Sequence, residues 1–162
     1  MRSGEFPAGR LTGGMVAAAI VALDQAAKAL VERALPIGDS IAVVPGVFSL
    51  THVENTGIAF GLAGHLPLLV PAAIALTFLF LLFYNKPDWT RLPMIRPALA
   101  LLAGGALGNL VDRIRLGAVI DYLDVRVWPV FNLADVAVTV GAGLLIASWV
   151  RRSERTPRGG DS

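Results

Sequence analysis

Residues 131–150 read FNLADVAVTVGAGLLIASWV: two polar residues, Asn132 and Asp135, stand at the head of a long apolar run. A helix needs about 20 mostly apolar residues to cross a bilayer. The run from about Leu133 to Val150 meets that length, and a carboxylate at its edge is a functional-site hypothesis by default. Working outward, three more stretches qualify: about Leu11 to Val31, Leu66 to Phe83, and about Met94 to Ile114. The first is too long for the apolar region of a cleavable signal peptide and carries Asp24 and Lys28, so it reads as a retained helix.

Composition agrees. The 162 residues suffice for one domain and are 55% hydrophobic and 16% charged. Soluble domains average about 25% charged, so much of this surface is expected to face lipid. The net charge is only +2 and the basic residues are scattered, which argues against nucleic acid. Without cysteine there is no disulfide framework, thiol nucleophile or Cys-based metal site. The fold class expected is a mainly α membrane protein with four spans, in one domain over 1–150, followed by a disordered basic tail over 151–162.

Lys and Arg asymmetry sets orientation. Arg2 and Arg10, then Lys86, Arg91 and Arg96, then Arg151, Arg152, Arg155 and Arg158 mark both termini and the middle connection as cytoplasmic. The connections 32–65 and 115–132 then face outward. In the first, 40–51 is rich in Val, Ile and Phe and broken by Pro45-Gly46, which predicts short strands with a turn lying on the membrane surface. In the second, 116–130 predicts a short interfacial helix or a lid.

Polar residues collect in the outward half. Asp24 and Lys28, four apart, share a helix face. They read as a neutralised pair that orients helices or as direct substrate contacts. Asn109, Asp112 and Arg113 share a face near the outward end of the third span, after a small-residue run, Gly104-Gly105-Ala106-Leu107-Gly108, suited to close packing. Asn132 is a plausible helix N-cap and Asp135 a first-turn carboxylate. Asp121, taken alone, is a loop aspartate. Two carboxylates that meet can share a proton, one pKa raised and the other low, and so activate water. Asp121 and Asp135 are the preferred pair. Asp112 is a rival for the second place, although Arg113 beside it suggests a structural role. His52 and His65 are the only histidines, no HExxH or G-x-S-x-G occurs, and His52 near Glu54 reads as surface loop chemistry. A proton-coupled transporter would spread polar groups through the membrane depth, and the apolar 66–83 span opposes that. A scaffold would use the same residues as helix glue.

Four blocks carry a resemblance: Asp24-Gln25-Ala26-Ala27-Lys28; Asn55-Thr56-Gly57-Ile58-Ala59-Phe60-Gly61; Gly104 through Arg113 running on to Val119-Ile120-Asp121-Tyr122; and Phe131-Asn132-Leu133-Ala134-Asp135. In order and spacing the chain resembles bacterial lipoprotein signal peptidase (signal peptidase II). The resemblance implies an aspartyl endopeptidase of the cytoplasmic membrane, its site near the outer face. Its implied partners are diacylglyceryl-modified prolipoproteins, cut just before the lipidated cysteine, with membrane lipid around it and globomycin-type inhibitors. It implies no metal or cofactor, a small outward β-cradle, and a catalytic pair at Asp121 and Asp135. Asn55, Gly57, Asn109, Asp112, Arg113, Asn132 and Ala134 fall on supporting positions, and Asp24 and Lys28 on a structural pair. Ile58 and Tyr122 depart from the frequent alanine and phenylalanine.

Overall fold

A computed structural model describes residues 8–56 and 94–155, with side chains over 12–56 and 94–151. The expected 66–83 span and Gly57 lie outside the described residues. Among the described residues there are three helices and one small sheet. Helix α1 spans Ala8–Ala34. Strands β1 (Ser40–Val44) and β2 (Phe48–Asn55) follow, joined by a turn at Pro45-Gly46-Val47. Helix α2 (Ile95–Leu116), strand β3 (Val119–Asp124) and helix α3 (Leu133–Arg155) complete the order. Helix α3 thus runs through Arg155, into the stretch expected to be tail.

Two of these helices are long and apolar enough to cross a membrane by length and composition, over Thr12–Ala34 and Leu133–Arg151. Their outer faces fit that setting. Met15, Leu23 and Leu30 on α1 and Ile146 and Trp149 on α3 are exposed. Apolar side chains standing outward along a whole helix mark a surface that water does not solvate well. The inward faces are small rather than large. Gly104 of α2 lies against Ile20 and the Ala17 carbonyl of α1, and Gly141 of α3 lies against the Ala98 carbonyl and Leu102 of α2. Small residues let helix backbones approach, which is how helices associate when lipid removes the hydrophobic drive between them. Helix α2 is the central one, packed on both of the others.

The sheet is antiparallel in the order β1-β2-β3. Ile41 pairs with Leu50 and Ser40 with Thr51. Val53 pairs with Asp121 and Asn55 with Val119. Its inner side packs on the end of α1, where Val31, Leu35 and Tyr122 form a buried cluster flanked by Leu50, Leu123 and Leu133. The expected strand–turn–strand over 40–51 is found, with β2 extending to Asn55. The expected helix or lid over 116–130 is not. Its first half is β3, which pairs with β2 on one side and bridges Phe131 through Leu123 on the other. His52 is likewise no surface residue. It is buried on β2, and its Nδ1 lies 2.8 Å from the Leu35 carbonyl just past the end of α1. That carbonyl has no partner in its own helix, and the imidazole N–H supplies one.

Gly117 ends α2 in the left-handed region, φ 75°, with its N–H donating to the Arg113 carbonyl at 3.0 Å. A Cβ there meets nothing, so the cost of a side chain is conformational. Gly117→Ala is expected to destabilise the protein by about 1 kcal/mol. Thermal unfolding in detergent checks it, and an unchanged midpoint would refute it.

Candidate active site

Asn132 organises the site because it is the N-cap of α3. Its side-chain Oδ1 accepts the Asp135 backbone N–H at 2.9 Å, and its own backbone N–H donates to Asp135 Oδ2 at 3.3 Å. This reciprocal pair satisfies two amides at the helix start, and the dipole there favours the Asp135 carboxylate. The Asn132 amide nitrogen remains, and it donates to Asp121 Oδ1 at 2.7 Å and to Asn109 Oδ1 at 3.1 Å. One asparagine therefore touches both carboxylates.

Asp121 is held from two sides. The sheet register sets it opposite Val53, and Asn55 at the end of β2 donates to its Oδ2 at 2.9 Å. Burial pushes its carboxyl up to about 6 and outweighs the hydrogen bonds from Asn55 and Asn132, while the Asp135 charge adds to the rise. Asp135 has its second oxygen on the Asn109 amide at 2.8 Å. Asn109 lies on α2, and the Arg113 guanidinium donates to its carbonyl at 3.2 Å.

Beneath these residues lies an ion triad. Lys28 Nζ is 2.8 Å from Asp24 Oδ2 and 2.7 Å from Asp112 Oδ2, and all three side chains are 0% exposed. The expected Asp24–Lys28 pair thus has a third member from α2. Both oxygens of Asp112 are engaged, Oδ1 with the Gln25 amide at 2.9 Å and Oδ2 with Lys28 and the Ile120 N–H. Gln25 was not singled out by the sequence reading. Its amide also donates to the Gly108 carbonyl at 3.1 Å, binding α1 to α2. Its only sequence signal was its place between Asp24 and Lys28. Ala134 enters through its backbone, whose N–H donates to Asp24 Oδ1 at 3.0 Å.

Each aspartate opens onto its own cavity. Asp135 borders one of about 380 Å³ lined by Trp128, Phe131, Val136, Thr139 and Val140. Asp121 borders one of about 300 Å³ between Val53, Glu54, Asn55 and Thr56 on one side and Pro129 and Val130 on the other. The first is walled mainly by apolar side chains, and the second mixes the polar Glu54, Asn55 and Thr56 with the apolar Val53, Pro129 and Val130. Among the described residues no cluster of three or more His, Asp or Glu is placed to hold a metal ion.

A family model described as Signal peptidase (SPase) II matches residues 16–151. The lipoprotein signal peptidase of Pelotomaculum thermopropionicum is 44% identical over 144 residues, covering 89% of this chain and 95% of the relative. That of Halothermothrix orenii is 45% identical over 128 residues, 78% of this chain and 87% of the relative. A bacterial membrane enzyme solved by the in meso method at 1.9 Å resolution is similar with TM-score 0.78 and 32% identity, over 85% of this chain and 92% of that one. A second, solved at 2.3 Å, gives TM-score 0.80 at 29% identity, over 93% and 94%. The class is therefore an aspartic peptidase with a mainly helical, membrane-type fold and a small sheet. Within that class, the chain belongs to the signal peptidase II family.

Proposed function

We propose that this protein removes signal peptides from diacylglyceryl-modified prolipoproteins, cutting before the lipidated cysteine, with Asp121 and Asp135 as the catalytic pair. The observation that carries this reading is the shared Asn132, whose amide meets Asp121 at 2.7 Å and whose backbone N–H meets Asp135 at 3.3 Å. Two carboxylates so close do not both ionise easily, and one is kept as an acid. The ionised carboxylate takes a proton from water as the water oxygen attacks the scissile carbonyl carbon. The protonated carboxyl polarises the carbonyl oxygen, and the pair then delivers a proton to the leaving amine as the C–N bond breaks. The two protons belong to the pair, not to either residue. No cofactor takes part.

The surroundings support the substrate class. The apolar cavity at Asp135 suits acyl chains or the apolar signal peptide, and the mixed one at Asp121, beside the end of β2, suits the extended segment beyond the cut. The chain would cross the cytoplasmic membrane four times, both termini inside and the site near the outer face, where lipidated substrates are anchored. A globomycin-type cyclic peptide would block the pair. The experiment is a gel-shift cleavage assay in detergent, with one prolipoprotein offered with and without its diacylglyceryl group. Cleavage of the lipidated form alone is expected, and equal cleavage of both would remove the lipid from the specificity.

The raised Asp121 pKa gives two pH effects. The alkaline limb of kcat/KM is expected near pH 6, with activity lost above it as the carboxyl kept as an acid ionises. Stability moves in the same direction. A carboxyl raised from 3.8 to about 6 on folding favours the folded state at low pH, and that contribution is lost as pH rises from about 4 through about 6. Unfolding midpoints at pH 4.5 and 7 check the sign, and Asp121→Asn should flatten the difference. An equal slope in that variant would assign it to other groups.

A further inference from the structure

The ion triad is placed for more than fastening helices. Each of its carboxylates also binds the backbone N–H of the residue just before a member of the catalytic pair. Asp24 Oδ1 accepts the Ala134 N–H at 3.0 Å, one residue before Asp135. Asp112 Oδ2 accepts the Ile120 N–H at 3.3 Å, one residue before Asp121. Lys28 joins the two carboxylates and donates its remaining hydrogen to Asn109 Oδ1 at 2.9 Å. Asn109 in turn donates to Asp135 at 2.8 Å.

A pair serving only to hold α1 to α2 has no need of contacts to β3 and α3. Two N–H groups at a site edge can also be satisfied by water, whereas a buried ion triad carries a heavy desolvation cost. What the triad adds is a second, buried tie between β3 and the start of α3, beside the Asn132–Asp121 bond. We propose that Lys28 is a positioning residue for peptide cleavage: through Asp24 and Asp112 it locks the backbones that carry Asp135 and Asp121, and its buried charge faces the pair. This rests on Asp121 and Asp135 being the catalytic carboxylates.

Among the described residues, the charged and titratable groups around Lys28 come from each element packed there. Asp24 lies on its own helix, Asp112 and Arg113 on α2, Asp121 and Tyr122 on β3, and Asp135 on α3. Lys28 lowers the Asp121 pKa against the effect of burial. Removing the cation should therefore move the alkaline limb to higher pH, which a purely mechanical tie would not do.

The test is kcat and KM against pH for wild type, Lys28→Gln and Lys28→Gln/Asp112→Asn, each with a thermal unfolding curve in the same detergent. The double variant keeps the net charge of the buried cluster and serves where the single one does not fold. In whichever is folded, kcat should fall about 10²-fold, the penalty of a misplacement near 1 Å. KM should change less than about threefold, as for an interaction made in the transition state. The alkaline limb should rise by about one pH unit in Lys28→Gln and stay in place in the double variant, where the net charge is kept. A folded variant of either kind that keeps kcat within about threefold, or a folded Lys28→Gln that loses rate with an unmoved limb, overturns the proposal. Asp121→Asn is run beside them. If that variant cleaves normally, the fault lies with the catalytic pair rather than with Lys28.

Discussion

Asp121→Asn and Asp135→Asn are each expected to lower kcat by at least about 10³-fold in protein that still unfolds cooperatively, because each removes general acid–base help that no neighbour can replace. The double variant should be little worse than either single one, since the two carboxylates act as a unit. Asparagine keeps the size of the side chain but cannot accept a proton from water. At Asp121 it also brings a second difficulty. Both oxygens there accept from amide nitrogens, of Asn55 and Asn132, so an Asn amide must point its own N–H groups at one of them. Asp112→Asn is the contrast. Asp112 is 0% exposed and has both oxygens engaged internally, so its loss loosens the site without removing a reacting group, and about a hundredth to a tenth of the rate should remain. Gel-shift cleavage of a diacylglyceryl prolipoprotein separates the cases. If Asp121→Asn cleaves within tenfold of wild type while Asp112→Asn is inert, Asp112 replaces Asp121 in the mechanism.

The residues at the head of α3 explain why a sequence reading can hold two meanings at once. The spacing of Asn132 and Asp135 supports a helix cap and equally a catalytic site. The structure uses different atoms for the two. The cap takes Asn132 Oδ1, its backbone N–H and Asp135 Oδ2. The Asn132 amide nitrogen and Asp135 Oδ1 are left to face Asp121 and Asn109. Helices α1, α2 and α3 were legible because apolar runs of that length have few other folds. The turn at Pro45-Gly46 was legible because turn residues interrupt a β-branched run. Strand β3 was not. Val119 through Tyr122 are all buried, so the alternation that betrays a half-exposed strand is missing. Its partner β2 lies more than sixty residues earlier, as in the Asn55–Val119 pair, and no local pattern encodes such a pairing. Asp112 joining Asp24 and Lys28 was hidden for the same reason. The i, i+4 pair is visible within one helix, but the third member depends on how closely α1 meets α2.

Helix approach is set by glycine, at Gly104 against α1 and at Gly105 against α3, and Gly105 is the position where a single methyl should do the most damage. A Cβ at Gly105 would collide with the Ala134 carbonyl oxygen and lie 2.8 Å from Val138 Cγ2 and 3.2 Å from the Val138 nitrogen. Two of these three atoms are backbone, so no rotamer change relieves the contact. Helix α3 itself must move away from α2. Gly105→Ala is therefore expected to cost about 3 kcal/mol, the upper range for overpacking a close-packed interior. The rate should suffer beyond that. Ala134 is 0% exposed and directly precedes Asp135, and its N–H is held by Asp24 at 3.0 Å. A shift of the first turn of α3 pulls on that bond and carries Asp135 from Asn109 and from the Asn132 bond to Asp121. About a 10²-fold loss of kcat should follow, even in the fraction that folds. Gly143, on the same helix α3, is the control: a Cβ there meets nothing within 4 Å. Gly143→Ala should leave cleavage unchanged and raise stability by up to about 1 kcal/mol through helix propensity. Thermal unfolding and single-turnover cleavage of the two variants decide the matter. Wild-type behaviour in Gly105→Ala would mean that α2 and α3 can part without disturbing the carboxylates, and the close approach of these helices would then not be what holds Asp135 in place.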